Sequence, residues 1–254
     1  MKETEPVFAQ MAAQPADRHL ANTHEVINQP AALVDYNLYT TDLALSEAVT
    51  LQGGASAASS LAAFGALLGS AEFIALGEQA NRYQPELDTH DRFGHRVDLV
   101  RFHPAYHELM ATSLAAGMHA SPWTNPGPGA HVARAAKFLM MSQVEAGHCC
   151  PITMTFAALP ALRHQPDLAT LWEARITASG YDPRNVPATE KAALTIGMAM
   201  TEKQGGSDVR ANTTRAFPLG IEGPGQAYEL VGHKFFVSAP MCDAHLVLAY
   251  VEGM

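Results

Sequence analysis

The chain has 254 residues, enough for one large domain or two smaller ones, and its 48% apolar content can fill a core, which excludes global disorder. Its 16 basic residues stand against 25 acidic ones, a formal charge of −9, and a field of that sign repels phosphate backbones and anionic lipid. Three cysteines, with Cys149 and Cys150 adjacent and Cys242 distant, make no disulfide framework and fit a reducing compartment.

No charged-then-apolar leader opens the sequence. The longest apolar-rich run, 61–76, carries Gly65, Gly69, Ser70 and Glu72 and is too short and polar for a membrane span, so a cytoplasmic location with no membrane partner is expected. Residues 1–24 are polar, Ala-rich and Pro-broken and read as a loose tail. Residues 25–40 lack a clean period and suggest an extended segment. Thr41 or Asp42 can cap a helix carrying Leu45, Ala48 and Val49 inward, ended by Gly53 and Gly54. Leu61, Phe64, Leu68, Ala71 and Ala75 recur at helical steps, which predicts one buried helix over 57–82. Asp91–Gly94 reads as a turn, and Pro104 suits a first helical turn continuing to Gly117. Residues 130–146 predict a helix with Val132, Ala136, Leu139, Met140 and Gln143 on one side, followed by helices over 151–163 and 167–179.

The period changes near residue 193. Short apolar runs in 194–200, 213–217, 228–231, 233–238 and 245–251 read as strands between Gly/Pro-rich turns. The expected architecture is α+β and multidomain: a helical domain over 25–192, then the opening of an antiparallel, barrel-like β domain over 193–254. A domain stopping on a strand would leave an unpaired edge, so the sequence is expected to be incomplete.

Two local patterns carry chemistry. In Met198-Ala199-Met200-Thr201-Glu202-Lys203-Gln204-Gly205-Gly206-Ser207-Asp208, paired glycines let backbone approach a bulky anion, and Thr201 and Ser207 add hydroxyl donors around the turn. About 30 residues on, Phe236-Val237-Ser238 places an aromatic ring and a hydroxyl on one face of a presumed strand, suited to a flat heteroaromatic ring. Read singly, each is as well explained by a β-turn or a sheet-core phenylalanine. His103 and His107, four apart, have no third ligand nearby, so no metal site is expected. Trp123 and Trp172 read as packing anchors, and Glu145 and Glu202 as structural carboxylates.

In this order and at this separation, the two patterns resemble the acyl-CoA dehydrogenase family, in which a T-E-x-x-x-G-S-D turn precedes a W-[IF]-[TS] strand. TEKQGGSDV together with residues 142–158 and 24–49 resembles its adaptive-response AidB branch, and the resemblance covers about residues 24–251. It implies FAD as cofactor, with Met198, Ala199, Met200, Thr201, Gln204, Gly205, Gly206, Ser207, Phe236, Val237 and Ser238 along the flavin. Phe236 stands where the family more often has Trp, which reduces stacking area. The implied reaction is α,β-dehydrogenation of an acyl thioester, with an acyl-CoA-like substrate and a homo-oligomer, a tetramer for the full-length family. The resemblance also implies a catalytic base in a C-terminal helical domain that this chain does not reach, hence no catalytic residue here. The alternative is an adaptive-response flavoprotein with a protective or DNA-associated role and little turnover, its DNA contacts lying in the same absent part.

Overall fold

In the computed structural model, which describes residues 27–251, the Asp42 side chain accepts from the Leu45 amide at 2.9 Å and starts α1, Leu43–Leu51. The expected tail over 1–24 lies outside the described residues. The chain divides into two units at residue 33, and all described helices and strands belong to the second. Residues 27–33 are exposed and form no helix or strand.

The single helix expected over 57–82 is two. After a short 3-10 turn, α2 spans Ala58–Leu68 and α3 spans Ala71–Arg82, and the two are bent by 64°. Ser70 causes the break, because its side chain accepts from the Phe73 amide and begins a new helix. The periodic residues Leu61, Phe64 and Leu68 are buried as their spacing requires. Gly65 and Gly69 lie one turn apart and form a groove for the chain at 36–39. The Leu38 and Tyr36 amides donate to the Gly65 and Gly69 carbonyls at 3.1 and 3.3 Å.

Strands β1 (Glu86–His90) and β2 (Arg96–Arg101) form an antiparallel hairpin around the expected turn, where the Asp91 carboxylate accepts from the Phe93 and His95 amides. Neither strand stood out in the sequence, because almost every hairpin residue is exposed and polar residues occupy both faces. Helix α4, Pro104–Ala115, starts at Pro104, with His103 Nδ1 accepting from the Ala105 amide. After the short α5, Ser121–Thr124, the helix α6, Ala130–Val144, buries Ala136, Met140 and Met141. Leu139 and Gln143, expected inward, are exposed, so the buried stripe runs one position to the side. Helices α7, Cys149–Leu162, and α8, Pro166–Ile176, complete the helical part. Leu61, Leu109, Met118, Met140 and Ile152 are fully buried in its main core, each contributing about 1.5–3 kcal/mol through burial. Among the described residues, no single helix is long and apolar enough to cross a membrane.

The β region follows the helical part as expected, in small sheets whose pairing is mixed and not antiparallel throughout. Strand β3, Ile196–Ala199, pairs in parallel with β6, Ala244–Val247. Strand β4, Arg215–Pro218, pairs antiparallel with β5, Tyr228–Val231, and in parallel with β7, Tyr250–Val251. The described residues hold small two- and three-stranded sheets. The mixed pairing has a physical source in the buried Asp243. Its carboxylate accepts from Lys191 Nζ at 2.7 Å and from the Thr195 amide at 2.8 Å, so β3 and β6 start side by side. Thr155 ties β3 to the helices, because its hydroxyl accepts from the Ile196 amide at 3.0 Å and donates to the Pro151 carbonyl. The segment 233–238 is not a strand. Phe236 and Ala239 have φ of +61° and +52°, left-handed values that interrupt extended backbone.

A Cβ at Gly69 would lie 1.7 Å from the Tyr36 carbonyl oxygen, a backbone atom that cannot rotate away. Gly69→Ala is expected to destabilise the fold by about 3 kcal/mol or more. Gly127→Ala, with no atom near the added methyl, should change stability by less than about 0.5 kcal/mol. Denaturant melts of both variants test this, and equal midpoints would remove the groove from the account.

Candidate functional site

The turn after β3 is built around Glu202. Glu202 and Gly205 exchange backbone hydrogen bonds at 3.2 and 3.0 Å, closing a tight turn. The Glu202 side chain points inward and is 3% exposed. Its Oε1 accepts from the Thr214 amide at 2.9 Å, the Thr214 hydroxyl and Lys234 Nζ at 3.0 Å. Its Oε2 accepts from the Thr213 amide and hydroxyl at 2.7 and 2.9 Å, and from Gln204 Nε2 at 2.6 Å. The Thr214 hydroxyl is the strongest influence, and with the other donors it outweighs burial and holds the carboxyl far below the usual range.

This carboxylate brings the two sequence patterns together. Lys234 forms an ion pair with Glu202, and next to it the Phe235 amide donates to the Thr201 carbonyl at 3.1 Å. The Thr201 hydroxyl donates back to the Phe235 carbonyl. Thr201 therefore clamps the second segment, and Gln204 is spent on Glu202. Of the other expected residues, Ala199 is buried in β3, Met198 is half-buried, and Met200 is exposed at the strand end. Gly205 is half-buried, while Gly206 and Ser207 are exposed on the outer side of the turn. A Cβ at Gly206 would come within 3.1 Å of Thr201 Cγ2, so the glycine keeps the turn close to Thr201.

The expectation that Phe236 and Ser238 share a strand face is corrected. Residues 234 and 235 are held by Glu202 and Thr201, and the chain then bends at Phe236, leaving its ring 84% exposed. Val237 and Ser238 turn back and are half-buried. Ser238 lines a cavity of about 340 Å³ with Tyr83, Phe102, Tyr106, Glu145, His148 and Cys150. Ala239, Phe102, Tyr106 and Pro151 are shared with a second cavity of about 340 Å³, which extends along Met110, Tyr181, Met241 and Cys242.

The phenols and thiols of the cavity walls hold their protons. Burial pushes the Tyr106 and Tyr181 phenols up, and it pushes the Cys242 thiol up to about 11. Tyr181 Oη and His107 Nδ1 are hydrogen-bonded at 2.8 Å, and burial lowers the His107 imidazole. Asp182, paired with Arg184, lies well below its ordinary value. None of these groups is an activated nucleophile at neutral pH.

One buried chain of polar groups was missed by the sequence reading. Ser113 Oγ lies 2.9 Å from His148 Nε2, and His148 Nδ1 lies 2.7 Å from Glu145 Oε2. Glu145 also accepts from the Gly147 and His148 amides at 2.6 and 2.7 Å. Burial pushes its carboxyl up, but these donors outweigh burial and leave it below its ordinary value. The signal was Glu-x-x-His between two helices. Among the described residues, no three His, Cys, Asp or Glu side chains gather as metal ligands.

Comparison with known proteins places these features. Residues 28–183 match the family model described as the adaptive response protein AidB N-terminal domain. The chain is 49% identical over 233 residues to AidB of Escherichia coli (strain K12), covering 91% of this chain and 42% of AidB. It is 30% identical over 178 residues to acyl-CoA dehydrogenase family member 11 of Caenorhabditis elegans, covering 69% of this chain and 28% of that protein. It thus spans less than half the length of these curated relatives. The solved structure of Caenorhabditis elegans ACDH-11 in complex with C11-CoA aligns at a TM-score of 0.74 and 26% identity, covering 94% of this chain and 40% of that one. The Bd2924 apo-form shares the fold at a TM-score of 0.75 and 24% identity, covering 89% and 44%. On a family model that spans more than half of its residues, and on a fold shared with acyl-CoA dehydrogenase-like structures, the chain belongs to the AidB family of acyl-CoA dehydrogenase-like proteins.

Proposed function

We propose that this chain supplies the helical wall and one flavin-binding wall of an FAD-dependent oxidoreductase that dehydrogenates acyl thioesters between Cα and Cβ. The observation that carries the reading is the junction at Glu202, which joins the turn 201–207 to the segment 234–238. In this reading residues 25–192 form the helical domain and residues 193–254 the first part of the β domain.

The residues present fit a flavin. Ser207 and the Gly206 amide face outward on a turn that glycine keeps low, suited to a pyrophosphate. Met200 and Phe236 present 46% and 84% exposed apolar surface beside that turn, suited to a flat ring. Ser207, the Gly206 backbone, Met200 and Phe236 would hold the flavin, which would supply a hydride acceptor for the substrate β-carbon. Ser238 is the hydroxyl of this wall that lines a cavity, and Tyr106, Phe102 and Met110 of the adjoining cavity would exclude water from an acyl chain lying there.

The proton at Cα needs a base, and the carboxylates near these cavities are poor ones. Glu145 and Asp182 are stabilised as anions, and Asp243 is bound to Lys191. A carboxylate so held has little drive to take a proton. The base is therefore assigned to the part of the relatives' length that this chain does not span. The charge of −9 gives this chain no electrostatic basis for DNA binding.

The flavin wall makes separable predictions. Ser207→Ala and Phe236→Ala should each weaken FAD binding about tenfold. Ser238→Ala should retain FAD and change its rate of reduction. Fluorescence titration with FAD and stopped-flow reduction of the variants check both, and wild-type behaviour in all three sinks the assignment. Glu202 makes a further one. Its folded-state pKa is lowered, so its contribution is fully present above the unfolded-state pKa of about 4.3. That contribution is lost as pH falls toward the folded value. Glu202→Gln should lower the melting temperature at pH 7 by roughly 5 °C, and the gap should narrow below about pH 4. A gap independent of pH would show that the carboxylate's charge is not what holds the junction.

A further inference from the structure

The cavity beside Ser238 has one formally charged side chain in its wall, Glu145. Glu145 is 8% exposed, so its carboxylate meets the cavity from an otherwise buried position. A carboxylate offers about four acceptor sites. Three are filled, by the Gly147 amide, the His148 amide and His148 Nδ1. One remains for a ligand.

Behind the carboxylate lies a buried pair of polar partners. Ser113 is fully buried, and its hydroxyl meets His148 Nε2. The carboxylate itself is held below its ordinary value by its donors, so the anion at the cavity is Glu145. His103, also in the wall, accepts from the Ala105 amide through Nδ1. The cations of the adjoining cavity are each paired with a carboxylate: Arg101 with Glu86 and Asp88, Arg184 with Asp182, and Lys191 with Asp243. The rest of the wall presents Tyr83, Phe102 and Tyr106, aromatic surfaces that attract cations at their faces and suit an alkyl chain. Ser113 itself lies outside the cavity wall and is no nucleophile for a ligand there.

We propose that this cavity is a binding site for a primary alkylammonium group, with the ammonium on the open acceptor site of Glu145 and the alkyl chain against Tyr106 and Phe102. It admits neutral ends more weakly and refuses carboxylates, because an anion would be desolvated beside a fixed negative charge. The site does not require a flavin, and its test is separate from FAD titration.

The probes are hexylammonium, hexan-1-ol and hexanoate at pH 7.5, followed by ligand-observed NMR on the purified chain. Hexylammonium is expected to bind at least about tenfold more tightly than hexanoate, with the alcohol between them. Glu145→Gln should bring the three within about threefold, and Cys150→Trp, which fills the cavity without altering the carboxylate's bonds, should abolish binding of the ammonium. The wild-type ranking stands as a test even where a variant fails to fold. Equal affinities, the reverse order, or no binding of hexylammonium by the wild-type chain would overturn the proposal.

Discussion

A carboxylate taken out of water must be given back its hydrogen bonds by the protein, and at Glu202 the chain does so from three separate segments. Thr213 and Thr214 lie just before β4, Lys234 lies just after β5, and Gln204 belongs to the turn itself. The requirement to satisfy one anion therefore fixes where a hairpin begins, where it ends, and how the preceding turn is placed. Four of the six donors are threonine groups, an amide and a hydroxyl from each of two consecutive residues. Neighbouring backbone cannot shift without breaking both kinds of bond at once. The two glycines of the turn answer a different need, that of keeping its outer side low.

The helical part meets the strands through buried polar links that act as alignment pins. Thr155 joins α7 to β3, and Asp243 with Lys191 sets the start of β6 against β3. These few links decide the register of otherwise apolar surfaces, as hydrogen-bonding groups do when burial alone is indifferent to small slides. The cavities form where the two parts meet. Their walls are phenols, thiols and aliphatic groups that keep their protons, so they contribute shape and exclusion of water. The carboxylates there are held in place, Glu145 by backbone amides on the loop between α6 and α7 and Asp182 by Arg184.

Much of this was legible in the residues. Leu61, Phe64 and Leu68 announce a buried helix, and Pro104 and Asp42 mark helix starts where they occur. The two site motifs were found because glycine, hydroxyl and aromatic residues cluster unusually there. What escaped reading was non-local. The break at Ser70 needed a decision between a continuing helix and a side-chain cap, and both patterns were present in the sequence. The hairpin over 86–101 has no inner face to alternate against, so it has no period. Phe236 looked like a strand residue because its neighbours are apolar, but the anchoring of Lys234 and Phe235 forces the bend. Parallel pairing of β3 with β6 depends on Asp243, Lys191 and Thr195, whose partnership spacing does not reveal.

That parallel pairing also bears on how the protein is made. Thr195 and Asp243, which start the ladder, are 48 positions apart, whereas the helices form from neighbours. At synthesis rates of about 5–20 residues per second, the apolar run around Ile196 waits roughly 2–10 s for its partner strand to emerge. During that interval the helices can already be packed, while one face of Ile196–Ala199 has no strand beside it. The emergence of β6 thus sets the time for which a hydrophobic edge is open to other chains, and residues 194–199 are the segment that a folding factor would need to shield.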